Sequence, residues 1–285
     1  MGETEMQHQL SDVENFASGI DHSEGICEAL DGSLYLGGEV GQVYRLSLDG
    51  VLEEIGQSPG TGILLGLSIR KDGSLLICDP SEKTIWAFDV KNNSWSVFCN
   101  QVGGQPLHTP NWGCFLPDGS YVFSDSGNWK AADGKLCRVL PDGTCELWSD
   151  KCNHFPNGLA LSEDGLGIYV LESTPGKLLY VEILPDGSAG IPTVLCEFDA
   201  VPDGVTVAED QNLLISCYRP DTIYSWSPHA GLQILVEDPE GTVVAAPTNT
   251  VLIGRNRSTL VWPNFARWNV ARLETNFVGV PLLKF

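Results

Sequence analysis

Three Pro-Asn or Pro-Asp dipeptides recur at a fixed interval of 46 residues, each opening an apolar run, a turn and a second apolar run: Pro110-Asn111, Pro156-Asn157 and Pro202-Asp203. Adding the same interval to Asp203 reaches Asn249 in "APTNTVLIG". Stepping back about one period from Asn111 reaches Gly66 in "LLGLSIRKDGSLLICD", and one more step reaches Glu24 in "SEGICEALDGSLYLGG". The chain therefore holds six units of 42 to 46 residues. Self-similarity at this period signals a repeat architecture, in which each unit buries its apolar faces against its neighbours.

Within a unit the apolar runs are short, rich in Val, Ile, Tyr and Trp, and separated by Asp-Gly or related turns, as in "EALDGSLYL" around Asp31-Gly32 and "IRKDGSLLI" around Asp72-Gly73. Asp-Gly between apolar runs is a hairpin signal. Helical solenoids of similar period would need 3.6-residue patterning, which these segments lack. The expectation is an all-β fold, a six-bladed β-propeller spanning 1–285 as one domain, with residues 1–11 as a flexible tail. A propeller ring usually closes by sharing one blade between its termini, and residues around Val13–Ile20 are placed as the strand that completes the last blade.

Equivalent positions of successive blades sit at equal height around the channel axis. Glu24, Asn111, Asn157, Asp203 and Asn249 should then converge near one mouth. Two carboxylates and up to three amide oxygens suit Ca²⁺, Mg²⁺ or Mn²⁺, whereas Zn²⁺ usually takes nitrogen or sulfur as well. Taken singly, Asn157-Gly158 and Asp203-Gly204 are also ordinary turn dipeptides. Their shared register favours the ring.

Charge narrows the partners. The chain carries 37 acidic and 16 basic residues, a net charge of −21. Such a surface repels phosphate backbones and anionic lipid, which argues against nucleic acid and membranes, and it attracts cations. No apolar run approaches the length of a membrane span, and the polar N-terminus lacks the apolar core of a signal peptide. The nine cysteines form no C-x-x-C pair and read as reduced thiols of a cytoplasmic protein. There is no G-x-S-x-G elbow, H-E-x-x-H motif or Walker A loop.

The Glu-Gly at 24–25, "PNW" at 110–112, "FPNGLALSEDG" at 155–165 and "VPDGV" at 201–205 together resemble the senescence marker protein (regucalcin), gluconolactonase and lactonase family, over about residues 20 to 275. The resemblance implies a six-bladed propeller with lactonase activity and one divalent ion, Ca²⁺ by preference, with Zn²⁺, Mg²⁺ or Mn²⁺ as alternatives. It implies that Glu24, Asn157 and Asp203 hold the metal. It places Asn111 beside metal and substrate, and it gives Asp203 the part of general base. A metal-bound hydroxide is the alternative nucleophile. The chain departs from the regucalcin pattern at Thr109, where an Arg would stand, and Trp112 follows Asn111. Trp112 and Trp129 point to a flat or apolar substrate, Arg219 to a carboxylate grip, and Asn249 to a further substrate contact on the ring. Asp125, Glu172, Tyr218 and His154 are further candidates near that mouth, whereas Trp268 is read as structural.

The expected function is metal-dependent opening of a lactone by water, in a monomer or small homo-oligomer whose partner is a small molecule. The rival readings are a propeller without catalysis that binds calcium or a protein, and a hydrolase of another ester or a phosphotriester at the same metal site.

Overall fold

The computed structural model describes residues 6–281. Six four-stranded antiparallel sheets follow one another along the chain. Blades one to five cover 26–57, 67–99, 110–149, 156–197 and 201–237. Blade six takes three strands from 251–274 and its outermost strand, Glu14–Ser18, from the other end of the chain. Among the described residues there is no α-helix, and thus none long and apolar enough to cross a membrane.

The second strand of each blade explains the apolar runs. Leu75–Asp79, Tyr121–Asp125 and Gly167–Ser173 are buried along their whole length, because each lies inside its sheet and is covered on both faces by neighbouring blades. Continuous apolar runs bounded by turns read this way. Outer strands such as Ser94–Cys99 mix exposed with buried positions. The core is a set of inter-blade clusters, one of which joins Leu171, Ile215 and Trp226 across blades four and five. All nine cysteines are unpaired.

The expected closing strand is present. Glu14–Ser18 pairs antiparallel with Asn269–Glu274, with Ala17 opposite Val270 and Glu14 opposite Arg272. The segment expected to be a flexible tail is in part held: Gln7 and His8 donate backbone hydrogen bonds to the Ile234 and Leu235 carbonyls of blade five, and Leu10–Asp12 form a 3-10 turn. Residues 1–5 of that tail lie outside the described residues.

The Asp-Gly signals divide into two kinds. At the lower rim they are hairpin turns. Asp72 accepts from the Ser74 backbone N–H at 2.9 Å and the Ser74 hydroxyl at 2.6 Å, and Gly73 supplies φ +85. Asp31, Asp118 and Asp186 repeat the arrangement with Ser33, Ser120 and Ser188. Asn157-Gly158 and Asp203-Gly204 are not turns at all. They lie inside the innermost strands Pro156–Leu161 and Val201–Val207. There the glycine serves contact between blades: a Cβ on Gly158 would collide with the Asp203 carbonyl, and one on Gly204 with the Thr248 carbonyl and the Asn249 amide.

The same contact corrects the register of blade two. Gly25 lies against the Leu65 carbonyl as Gly158 lies against that of Asp203, and Gly66 lies against that of Asn111. Gly66 is therefore the equivalent of Gly158, and the ring position of blade two is Leu65.

Two outcomes follow from these contacts. Gly158→Ala should destabilise the protein by about 1–3 kcal/mol, the usual cost of overpacking a filled site; the urea midpoint measures it. The hydroxyl and backbone donors around Asp31, Asp72 and Asp186 hold these carboxyls below their ordinary pKa. A depressed folded pKa contributes stability above the unfolded value of 3.8, lost as pH falls through the folded one. Ser33→Ala, Ser74→Ala and Ser188→Ala combined should therefore lower the thermal midpoint at pH 6, with the difference from wild type shrinking below about pH 4.

Candidate metal and active site

The innermost strands deliver five polar side chains to one end of the channel. Asn111, Asn157 and Asp203 sit at the second or third residue of their strands; Glu24 and Asn249 sit just ahead of theirs. Asn111, Asn157, Asp203 and Asn249 are buried, and Glu24 keeps part of its surface accessible. Of the six ring positions Leu65 alone is apolar, so blade two contributes no ligand.

Neighbouring strands fix this ring through hydroxyl clips. Ser124 donates to the Asn157 carbonyl at 2.8 Å, and Ser126 to the Pro156 carbonyl at 2.6 Å. Ser173 donates to the Pro202 carbonyl at 2.7 Å, and Ser216 to the Thr248 carbonyl at 2.7 Å. Thr248 donates to the Glu24 carbonyl at 2.8 Å, joining the last blade to the first. Each clip ties the second strand or entry loop of one blade to the entry backbone of the next. The sequence reading missed them; the signal was a Ser near the end of the second apolar run of blades three to five, in "FSDSG", "VLES" and "LISC".

Buried carboxylates hold the loops that lead into the ring. Asp125 accepts from the His108 and Thr109 backbone N–H groups at 3.0 and 2.6 Å, and Lys135 lies 3.3 Å from it. Glu172 accepts from the His154 N–H at 2.9 Å. These two candidates thus position the segments that carry Asn111 and Asn157, and the contact of His154 is a backbone one.

Three ring oxygens have no hydrogen-bond partner among the described residues: Asn111 Oδ1, Asn157 Oδ1 and Asp203 Oδ1. Leaving such an atom buried and unpaired costs about 1–3 kcal/mol. The Asn157 Nδ2 donates to the Ser173 hydroxyl at 3.3 Å, which turns its oxygen the other way. Burial raises the Glu24 carboxyl from 4.5 to about 7. Burial and then the charge of Glu24 push the Asp203 carboxyl well above its ordinary value. Two carboxylates that repel each other beside unpaired amide oxygens are the donor set of a hard cation, and a cation there would reverse both shifts. The residues present fit a divalent ion.

The remaining candidates lie elsewhere. Trp112 packs over Gly66 and lines the channel on the far side of the ring from the mouth, so the expected role in gripping substrate there does not fit its position. Trp129 is on the mouth: it is exposed and meets Phe155 edge to face at 4.8 Å, two residues ahead of Asn157. Arg219 is engaged locally, paired with Asp221 at 2.6 Å and stacked on Tyr218 at 5.1 Å. Asp221 also accepts from the Ala246 N–H in the loop before Asn249. Trp268, read as structural, is exposed on this face and donates to His22 Nε2 at 3.0 Å. His22 Nδ1 lies 2.7 Å from Glu39 and 3.2 Å from Asp21. That outer cluster is a poor cation site, because the indole takes one ring nitrogen and the acids hold the proton of the other.

Solved structures of low identity share this fold. A gluconolactonase from Xanthomonas campestris is 19% identical with a TM-score of 0.78, covering 92% of this chain and 89% of its own. A luciferin-regenerating enzyme is 17% identical with a TM-score of 0.76, covering 95% and 98%. A calcium-binding regucalcin from Agrobacterium tumefaciens is 15% identical with a TM-score of 0.72, covering 94% and 99%. No curated protein sequence matches the chain. The family model described as SMP-30/gluconolactonase/LRE-like region matches residues 24–262, from the first ring carboxylate into the strand Thr259–Asn264 of blade six. With most of its length inside that match, this chain belongs to the SMP-30/gluconolactonase/LRE-like family.

Proposed function

We propose that this protein is a metal-dependent hydrolase that opens a lactone at the ring of Glu24, Asn157 and Asp203. The observation that carries the reading is the set of three buried ring oxygens without partners, beside two carboxylates whose pKa values are raised together. The family and the gluconolactonase and regucalcin neighbours support the same chemistry. Ca²⁺ suits the all-oxygen donor set best, with Mg²⁺ and Mn²⁺ next and Zn²⁺ less well matched.

A divalent ion held by Glu24, Asn157 and Asp203 would supply Lewis acidity to a carbonyl or ester oxygen. Asp203 is the general base: its Oδ1, which has no hydrogen-bond partner among the described residues, accepts the proton of the attacking water. Asn111 offers its amide N–H to the substrate oxygen on which charge develops, and the clipped backbone holds it there without reorganisation. Trp129, Phe155 and Tyr218 give the mouth aromatic surface that suits a flat acyl or ring portion. Arg219, tied to Asp221, shapes the mouth by holding the loop before Asn249.

Dialysis against EDTA should lower the thermal midpoint, and Ca²⁺ should restore it, adding about 2.7 kcal/mol of stability at a hundredfold excess over the dissociation constant. Hydrolysis of γ- and δ-lactones, followed with a pH indicator, should depend on the added metal. Cation binding with no turnover on any lactone or ester would favour a binding propeller instead. Asp203→Asn and Glu24→Gln should each remove activity by about 10²–10⁴-fold and abolish the stabilisation by metal. Full activity in either variant would overturn the site.

A further inference from the structure

Below the ring the same innermost strands line a cavity of about 660 Å³ that has no part in the proposed reaction. Its apolar surface comes from Leu30, Ile69, Phe115, Ala160, Leu161 and Val251, which line the cavity from five blades and are each partly or fully exposed. None of Glu24, Asn111, Asn157 and Asp203 lines it. The buried ring thus divides the channel into two compartments of opposite character.

This apolar wall is not a requirement of the fold. Channel-facing positions one step up the same strands carry Asn, Asp and Glu. Apolar surface left facing water forfeits about 25 cal/mol per Å² of burial. A cavity of this size and lining falls in the range of small-molecule sites, about 300–1,000 Å³.

The rim supplies the second half of the specificity. Arg70, Lys71 and Arg257 line the cavity, against the single carboxylate of Glu28. Glu28 is neutralised by Arg257 at 2.7 Å. Arg70 and Lys71 form no ion pair among the described residues. Asp72 beside them is engaged by Ser74, so the cavity lining itself carries three basic residues against one acidic one, a local reversal of sign in a chain of net charge −21.

We propose that this compartment is a second binding site, for an amphipathic monocarboxylate whose hydrocarbon part enters the channel and whose carboxylate rests on Arg70 and Lys71. A guanidinium can take the carboxylate in a bidentate fork, with the ammonium adding a point charge. The site stands independently of the lactonase reading, because it uses none of the ring residues.

Titration calorimetry of the full chain with octanoate and with 1-octanol tests this. Octanoate should bind one per chain, at least about tenfold more tightly than octanol, a ratio that one ion pair supplies. Arg70→Ala with Lys71→Ala should weaken octanoate about tenfold and leave octanol unchanged. Leu161→Trp should weaken both by filling the cavity; should that variant not fold, the charge variants on the solvent rim still decide. Asp203→Asn should leave octanoate binding intact. Three results would overturn the proposal: no octanoate binding at millimolar concentration, equal affinity for the alcohol, or loss of binding in Asp203→Asn.

Discussion

Everything at the channel axis depends on how closely the innermost strands approach. Gly25, Gly66, Gly158 and Gly204 lie where a side chain would strike the carbonyl or backbone of the next blade. With those contacts closed, the residue before each glycine is carried to the axis at a common height. The residues so placed are Glu24, Leu65, Asn157 and Asp203. Blade three departs from the pattern, with Trp112 after Asn111, and the indole finds room because it lies over Gly66.

The approach has an electrostatic consequence. Side chains brought together without water lose solvation, which is why Glu24 and Asp203 hold their protons more tightly than free carboxylic acids. The backbone around them is well satisfied by Ser124, Ser126, Ser173, Ser216 and Thr248. The side-chain oxygens are not. A rigid, fully bonded frame that leaves its inward-facing oxygens unpaired is preorganised for a guest, because the frame cannot relax to satisfy them. The loops entering the ring are held in the same way, by Asp125, Glu172 and Asp221.

The repeat made much of this readable in advance. A 46-residue interval between Asn111, Asn157 and Asp203 is enough to place them at one height, since a propeller converts sequence period into rotation about an axis. The closing strand near Val13–Ile20 was legible for the same reason. The error in blade two came from counting to a glycine: Gly66 matches Gly158, and only the contact with Asn111 reveals that Leu65 fills the ring. Trp112 lies away from the mouth although it follows Asn111, because adjacent residues of an inner strand serve different heights of the channel. The contact of Trp268 with His22 spans 246 positions, and no local pattern joins them.

What the sequence alone determined was the number of blades, the all-β class and the identity of the polar positions, because these follow from periodicity and turn chemistry, both local along the chain. The tertiary structure decided which oxygens lack partners, which hydroxyls clip the ring, and that the channel is polar above and apolar below. Those depend on contacts between blades, where residues tens to hundreds of positions apart exclude water from one another, and no period within a single unit records them.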